Sequence, residues 1–64
     1  MFTLVFERSG TTGTRDYPSL DLCLPDANQM LVDRSGFPKE VRRDGHLLMG
    51  SALLHSKLCE LDAQ

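Results

Sequence analysis

The sequence contains no tryptophan and few other aromatic residues, with three phenylalanines and one tyrosine among 64 residues. Any monomeric core must therefore rest mainly on leucine side chains. A domain of this length buries only about 60% of the surface of its unfolded chain, so its stability is marginal, and a second subunit is one common source of added stability. These features predict one small domain over residues 1–64 and make self-association a reasonable expectation.

Cysteines are also few, and long hydrophobic runs are missing. Cys23 and Cys59 are too few for the disulfide framework of a small secreted protein. No apolar stretch approaches the ~18 residues that cross a bilayer, and the first residues lack the basic and apolar regions of a signal peptide. We therefore expect reduced thiols, no membrane association and a cytoplasmic location.

The residue patterns of catalytic and cofactor sites are missing as well. His55 and Cys59 lie four residues apart, as two metal ligands or a nucleophile pair on a helix would. A structural zinc site needs four ligands, however, and only Cys23 and His46, far apart in the chain, remain to complete one. The glycine-rich segment 9–13 lacks the Gly-Lys-Ser/Thr ending of a phosphate-binding loop. The sequence therefore predicts no enzymatic activity, no cofactor and no metal, with both cysteines acting as small hydrophobic residues.

The most informative segment that is present is 39–49, where Asp44-Gly45 separates two short runs capable of forming strands. Type I′ turns require positive φ at both central residues, and Asp-Gly tolerates this. The segment is therefore predicted to be a β-hairpin. Val41 is the expected inward residue of its first strand, and Leu47 or Met49 that of its second.

A first hairpin is predicted at the start of the chain. The first seven residues alternate between an apolar and a mixed face, as in a half-buried strand. The apolar face consists of Phe2, Leu4 and Phe6. Segment 9–13 holds two glycines that permit positive φ and is predicted to be the turn. The return strand should span residues 14–17 and end before Pro18, because proline cannot donate to a strand ladder.

Segment 19–34 is predicted to form the main helix. Ser19 is a candidate N-cap, and Asp21 lies near the positive end of the helix dipole. Arg34 falls in the last turn, and Gly36 is placed where a C-terminal stop is expected. Apolar residues recur at helical spacing on one face: Leu20, Cys23, Leu24, Ala27, Met30 and Leu31.

Pro25 leaves an alternative open for residues 19–24. A proline inside a helix costs roughly 3 kcal/mol and kinks the axis. Leu20, Leu22 and Leu24 would then form the inward face of a strand, and the helix would begin at Pro25. We favour the longer helix, bent or frayed before the proline.

The C-terminal segment is predicted to be an amphipathic helix from about Ala52 to Leu61, with Ser51 as its cap. The alternative continues the preceding strand through Leu54. Leu54, Leu58 and Leu61 recur at intervals of four and three, and they either close the core or form the seam of a homodimer. The predicted fold is α+β: two β-hairpins in one antiparallel sheet (ββαββ), the main helix on one face, and a C-terminal helix.

The charge distribution gives the candidate binding residues. The net charge of −2 and pI of about 5.5 disfavour a general polyanion binder, which usually has a pI above about 9. Residues 1–33 hold two basic and five acidic residues, whereas residues 34–64 hold five basic and four acidic ones. Positive charge is expected near one end of the second hairpin. The predicted partner-binding residues there are Arg34, Lys39, Arg42, Arg43 and His46.

Two short segments have the form of motifs found together in a known family. Ser19-Leu20-Asp21 matches a Thr-Leu-Asp helix start, and Gly36-Phe37, Val41 and Arg43 match a Gly-Phe-x-Val-x-Arg strand with two residues inserted before the valine. In these segments the chain resembles small phage-encoded accessory proteins, in particular inhibitors of host RNA polymerase. The similarity covers about half of the chain. It implies a small inhibitor or adaptor from a mobile element.

Together these features predict a small non-enzymatic module that binds a protein partner through the sheet edge or the hairpin tip. The alternative is a dimeric, nucleic-acid-associated regulator that uses the basic second hairpin. The two differ in salt dependence, because phosphate contacts release counterions and weaken steeply as salt rises.

Overall fold

The computed structural model describes residues 1–62, which form four strands and two helices. In chain order the elements are β1 (Phe2–Arg8), β2 (Thr11–Tyr17), α1 (Leu20–Val32), β3 (Phe37–Arg43), β4 (His46–Met49) and α2 (Ser51–Asp62). The predicted α+β fold, with two hairpins, a main helix and a C-terminal helix, is confirmed.

The four strands form one antiparallel sheet in the order β2-β1-β3-β4. The two hairpins are joined by the pairing of β1 with β3, in which Leu4 lies opposite Val41. The first strand, β1, therefore lies in the interior of the sheet, and the two edge strands are β2 and β4.

Both hairpins have two-residue turns with positive φ at each central residue. The φ values are 52° and 80° for Ser9 and Gly10, and 51° and 85° for Asp44 and Gly45. This is type I′ geometry, whose twist matches that of the paired strands. The second turn was predicted. The first is shorter than predicted, because residues 11–13 belong to β2.

Gly13 is a strand residue whose role is to accommodate an aromatic ring. It lies opposite Phe6 in the β1–β2 pairing. A Cβ atom at this position would lie 2.8 Å from Phe6 Cζ, which is too close for a stable contact. The glycine thus allows the Phe6 ring to cover the backbone of the edge strand.

One face of the sheet carries the core, and both helices pack on that face. The buried residues form a single cluster of Leu4, Phe6, Tyr17, Cys23, Ala27, Met30, Val41, Met49, Leu54 and Leu58. The predicted inward residue Val41 is confirmed. Met49 is the inward residue of β4, and Leu47 is exposed.

Helix α1 includes Pro25, so the longer helix is confirmed and the strand alternative for residues 19–24 is wrong. Ser19 occupies the N-cap position with extended φ of −150°, but its side chain makes no capping hydrogen bond. Pro25 is on the exposed side of the helix. The carbonyl that it leaves unpaired is that of Asp21, also exposed, so water can satisfy it.

The helix ends at Val32, and the predicted stop at Gly36 is wrong. Arg34 adopts the left-handed conformation with φ of 59°, and the Ser35 N–H donates to the Met30 carbonyl at 3.1 Å. This is the Schellman termination, in which glycine usually occupies the left-handed position. Gly36 instead lies against Met30, whose Sδ would be 2.8 Å from an added Cβ.

Arg34→Gly should therefore stabilise the fold. A non-glycine residue in the left-handed region costs roughly 1–2 kcal/mol, and the higher entropy of unfolded glycine offsets part of the gain. We expect the free energy of unfolding to rise by up to about 1 kcal/mol. Urea unfolding at constant m-value measures the change. Arg34→Ala is the control, and an equal gain from alanine would show that loss of the arginine, not relief of the backbone, is responsible.

Helix α2 is confirmed, and the continuation of β4 through Leu54 is wrong. The Gly50 carbonyl accepts the first helical hydrogen bond, from the Leu54 N–H at 2.9 Å. Ser51 is already inside the helix, so its predicted capping role is wrong. Its Oγ donates to the Lys39 carbonyl at 2.7 Å and so joins α2 to β3.

The proposed homodimer seam on α2 is not available in this fold. Leu54 and Leu58 are 0% and 2% exposed and belong to the core, and Leu61 packs partly buried against the same cluster. These leucines close the monomer, which was the other interpretation. Within residues 1–62, neither helix combines the length and the apolar character that a membrane span requires.

Candidate functional site

The predicted basic residues are divided between the two ends of β3. Arg34 precedes the strand, whereas Arg43 ends it and pairs with His46 across the turn. A strand of seven residues spans roughly 20 Å. Arg34 is therefore far from the hairpin tip, and the five predicted residues do not form one patch.

At the hairpin tip, the two adjacent arginines already have contacts within the protein. Arg42 Nε lies 2.6 Å from Glu40 Oε2, and Arg42 Nη1 donates to the Gly45 carbonyl at 3.4 Å. The Arg43 Cζ lies 5.6 Å from the centroid of the Phe2 ring. The two side chains lie on opposite faces, as strand alternation predicts.

Acidic groups reduce the positive charge elsewhere along the hairpin. The amino group of Met1 donates to Asp44 Oδ1 at 2.8 Å and lowers the pKa of that carboxyl group, with a smaller contribution from Arg43. Lys39 Nζ lies 2.8 Å from Glu7 Oε2. The second hairpin is thus a mixed-charge surface and not the dense basic patch that its sequence suggests.

The edge strand β4 exposes two consecutive leucines because of a bulge. Val41 pairs with Met49 and Arg42 with Leu47, so the register shifts and Leu48 is the extra residue. Without the shift, strand alternation would place Leu47 on the same face as Met49, towards the core. Leu47 and Leu48 are instead 59% and 39% exposed. We refer to Leu47 and Leu48, with Arg42 opposite them, as the β4 surface.

A cleft of about 320 Å³ lies at the other end of the sheet. It is formed where the β1–β2 turn meets the connection between α1 and β3. Its lining includes Glu7, Arg8, Leu31, Arg34, Gly36 and Phe37. We refer to it as the Arg8–Arg34 cleft.

Arg8 is a functional candidate that sequence reasoning missed. Its Nε donates to the Ser35 carbonyl at 2.5 Å, and its Cζ lies 5.6 Å from the centroid of the Phe6 ring. Arg8 and Arg34 are 26 residues apart in the chain, and only the pairing of β1 with β3 brings them together. No local sequence signal connects them.

Cys23 and His55 have structural surroundings in the part of the chain that the structure describes. Burial raises the pKa of the Cys23 thiol to about 11, so it is protonated and unreactive at neutral pH. His55 Nε2 donates to the Pro38 carbonyl at 2.9 Å, and its ring lies 4.8 Å from that of Phe37. Within residues 1–62, no group of three His, Cys, Asp or Glu side chains is placed to hold a metal ion.

The two thiols should differ sharply in reactivity. Cys59 is exposed and Cys23 is buried, so Ellman's reagent near neutral pH should modify Cys59 at once and Cys23 only on unfolding.

Folded Cys23 keeps its proton up to about pH 11, whereas the unfolded thiol loses it near pH 9. Stability should therefore fall as the pH rises through this window. The Cys23→Ala variant should not show this loss of stability at high pH. Rapid labelling of both thiols in the folded protein would contradict the burial of Cys23.

No family model, curated protein or solved structure matches this chain. Function is therefore inferred from its own side chains and surfaces.

Proposed function

We propose that this protein is a small non-enzymatic module that binds a protein partner through the β4 surface. The observation that carries the proposal is the bulge that exposes Leu47 and Leu48 on an edge strand. Edge strands of monomeric proteins are usually protected by charged residues, proline, short length or a bulge. The strand β4 is short and bulged, but the side chains that it exposes at Leu47 and Leu48 are apolar. The other edge strand, β2, is polar, with sequence TTGTRDY.

The exposed edge supplies the two elements of strand-addition recognition. Unpaired backbone groups of β4 can hydrogen-bond an extended segment of a partner, and Leu47 and Leu48 provide apolar contacts beside it. Arg42 lies opposite Leu47 and adds a charged group at the periphery. An apolar centre with a polar periphery is the usual composition of a protein–protein interface.

The charges of the hairpin favour a protein partner over nucleic acid. Arg42 is paired with Glu40, and Arg43 lies over the Phe2 ring. A phosphate group that bound these arginines would have to displace the Arg42–Glu40 ion pair or the Arg43–Phe2 contact. The net charge of −2 also opposes a polyanion.

The resemblance to phage accessory proteins supports a more specific form of the proposal, in which the partner is a host protein that the module inhibits or adapts. The two unpaired cysteines are compatible with a reducing compartment. We therefore propose that the protein acts in the cytoplasm.

The test is affinity capture from host lysate with tagged wild type, Leu47→Lys and Leu22→Lys, each with and without nuclease. Leu22 is the matched control, because it is 54% exposed on α1. We expect a stoichiometric protein that survives nuclease, is lost with Leu47→Lys and is retained with Leu22→Lys. Equal capture by both variants would contradict the β4 assignment, and loss on nuclease treatment would favour the nucleic-acid alternative.

A further inference from the structure

We propose that the Arg8–Arg34 cleft is a second binding site, which takes a carboxylate of an acidic segment in another protein. The cleft lies at the opposite end of β3 from the hairpin tip. The proposal therefore does not depend on docking at the β4 surface.

Arg34 combines a strained backbone conformation with a guanidinium that has no partner among the described residues. It holds a left-handed conformation with φ of 59°, at a helix terminus where glycine would fit without strain. Its guanidinium makes no ion pair or side-chain hydrogen bond with any residue in the range 1–62. A strained position that keeps a long cationic side chain, with no internal contact to compensate, points to an external ligand.

Arg8 provides a second cation that is already oriented. The hydrogen bond from Nε to the Ser35 carbonyl at 2.5 Å and the contact with the Phe6 ring restrict its side chain. The Nη groups make no hydrogen bond within the described residues 1–62. A guanidinium held in this way can offer its remaining N–H groups to a carboxylate at low entropic cost.

The acidic groups near the cleft have other partners. Glu7 is paired with Lys39 at 2.8 Å. Asp33 Oδ1 accepts the Ser35 N–H at 3.0 Å, and hydrogen bonds from Ser35 lower the pKa of this carboxyl group, with a smaller contribution from Arg8. The guanidinium of Arg34 is therefore not neutralised by either of them.

The size and composition of the cleft favour an acidic peptide over nucleic acid. Leu31 and Phe37 contribute apolar surface, and Phe37 is 49% exposed. A volume of about 320 Å³ is at the lower end of ligand sites and suits one or two side chains. A single carboxylate beside an apolar side chain fits this small, partly apolar cleft better than the successive phosphates of a polyanion do.

The test is an NMR titration of ¹⁵N-labelled protein with a capped pentapeptide of alternating leucine and aspartate. We expect shifts of the backbone amides of residues 7–9 and 34–37. The same peptide with asparagine in place of aspartate should bind about tenfold more weakly or worse, because a charge-assisted hydrogen bond is lost.

Two variants separate binding from folding. Arg34→Gly should weaken peptide binding about tenfold or more while raising the unfolding midpoint, so loss of binding cannot be attributed to loss of structure. Lys57→Gln removes an exposed positive charge on α2, outside the cleft and the β4 surface, and should bind as wild type does.

Each of the following results would overturn the proposal. One is equal affinity for the aspartate and asparagine peptides. Another is unchanged binding by Arg34→Gly, or shifts confined to residues 42–49. The last is that inorganic phosphate, or a phosphoserine version of the peptide, binds more tightly than the aspartate peptide does. The site would then select phosphate and not carboxylate.

Discussion

Replacing Leu54 with alanine should lower the free energy of unfolding by about 2–5 kcal/mol, the usual range for a buried leucine. Leu54 is 0% exposed and belongs to the core cluster that both helices share with the sheet. Globular proteins have roughly 0.05–0.15 kcal/mol of stability per residue, or roughly 3–10 kcal/mol for this length. The substitution should therefore remove much or all of the stability.

The adjacent residue provides a matched control. Leu53 is the same residue type in the same helix, but it is 49% exposed. Leu53→Ala should change the free energy of unfolding by less than about 0.5 kcal/mol. Chemical denaturation of the two variants, followed by circular dichroism, measures the difference. Similar losses from both would mean that α2 is not oriented as described, and a dimer that dissociates with Leu54→Ala would restore the seam interpretation.

Gly13→Ala should cost about 1–3 kcal/mol, as for other substitutions that overpack a core. The new methyl group would lie 2.8 Å from Phe6 Cζ and 2.9 Å from Cε2. The Phe6 ring is only 9% exposed, so it cannot move aside without disturbing the core. Alanine would otherwise be favoured over glycine in a strand, so a loss of stability identifies the steric contact.

A double-mutant cycle with Phe6→Leu tests the cause. The smaller side chain leaves room for the methyl group, so Gly13→Ala should cost less in the Phe6→Leu background. Gly50→Ala is a control without a steric contact, because no atom lies within 4 Å of its added Cβ, and any loss of stability there reflects the poorer N-cap preference of alanine. Additive losses at Gly13 and Phe6 would show that the ring and the glycine do not interact.

The local patterns predicted most of the fold. Alternation from Phe2 to Phe6, the Asp44-Gly45 turn and the helical spacing from Leu20 to Leu31 each depend on neighbours within a few residues, and each was confirmed. Segment 9–13 was misinterpreted because glycine serves two roles that look alike in sequence. Gly10 supplies positive φ, whereas Gly13 accommodates the Phe6 ring, a contact between different strands.

The candidate site was less accessible to sequence reasoning. Arg34, Arg42 and Arg43 are close in the chain, but an extended strand separates the first from the others. Conversely, Arg8 and Arg34 are distant in the chain but line the same cleft. The exposure of Leu47 depends on a bulge, and residues 46–49 contain no glycine or other local signal of one. The β4 surface and the Arg8–Arg34 cleft both result from how the strands pair. Secondary-structure propensity and residue spacing along the chain do not determine that pairing.

The position of β1 in the sheet has a consequence for biosynthesis. The strand that is synthesised first lies between β2 and β3, and its Leu4 packs opposite Val41, from the later part of the chain. Such non-local pairing slows folding. Leu54 and Leu58, which close the core, are made later still. A nascent chain that has emerged only as far as Met49 has all four strands and α1 but lacks α2, whose Leu54 and Leu58 cover the rest of the apolar face. We therefore expect the fold to be completed only after α2 emerges, and until then this part of the face is available to chaperones.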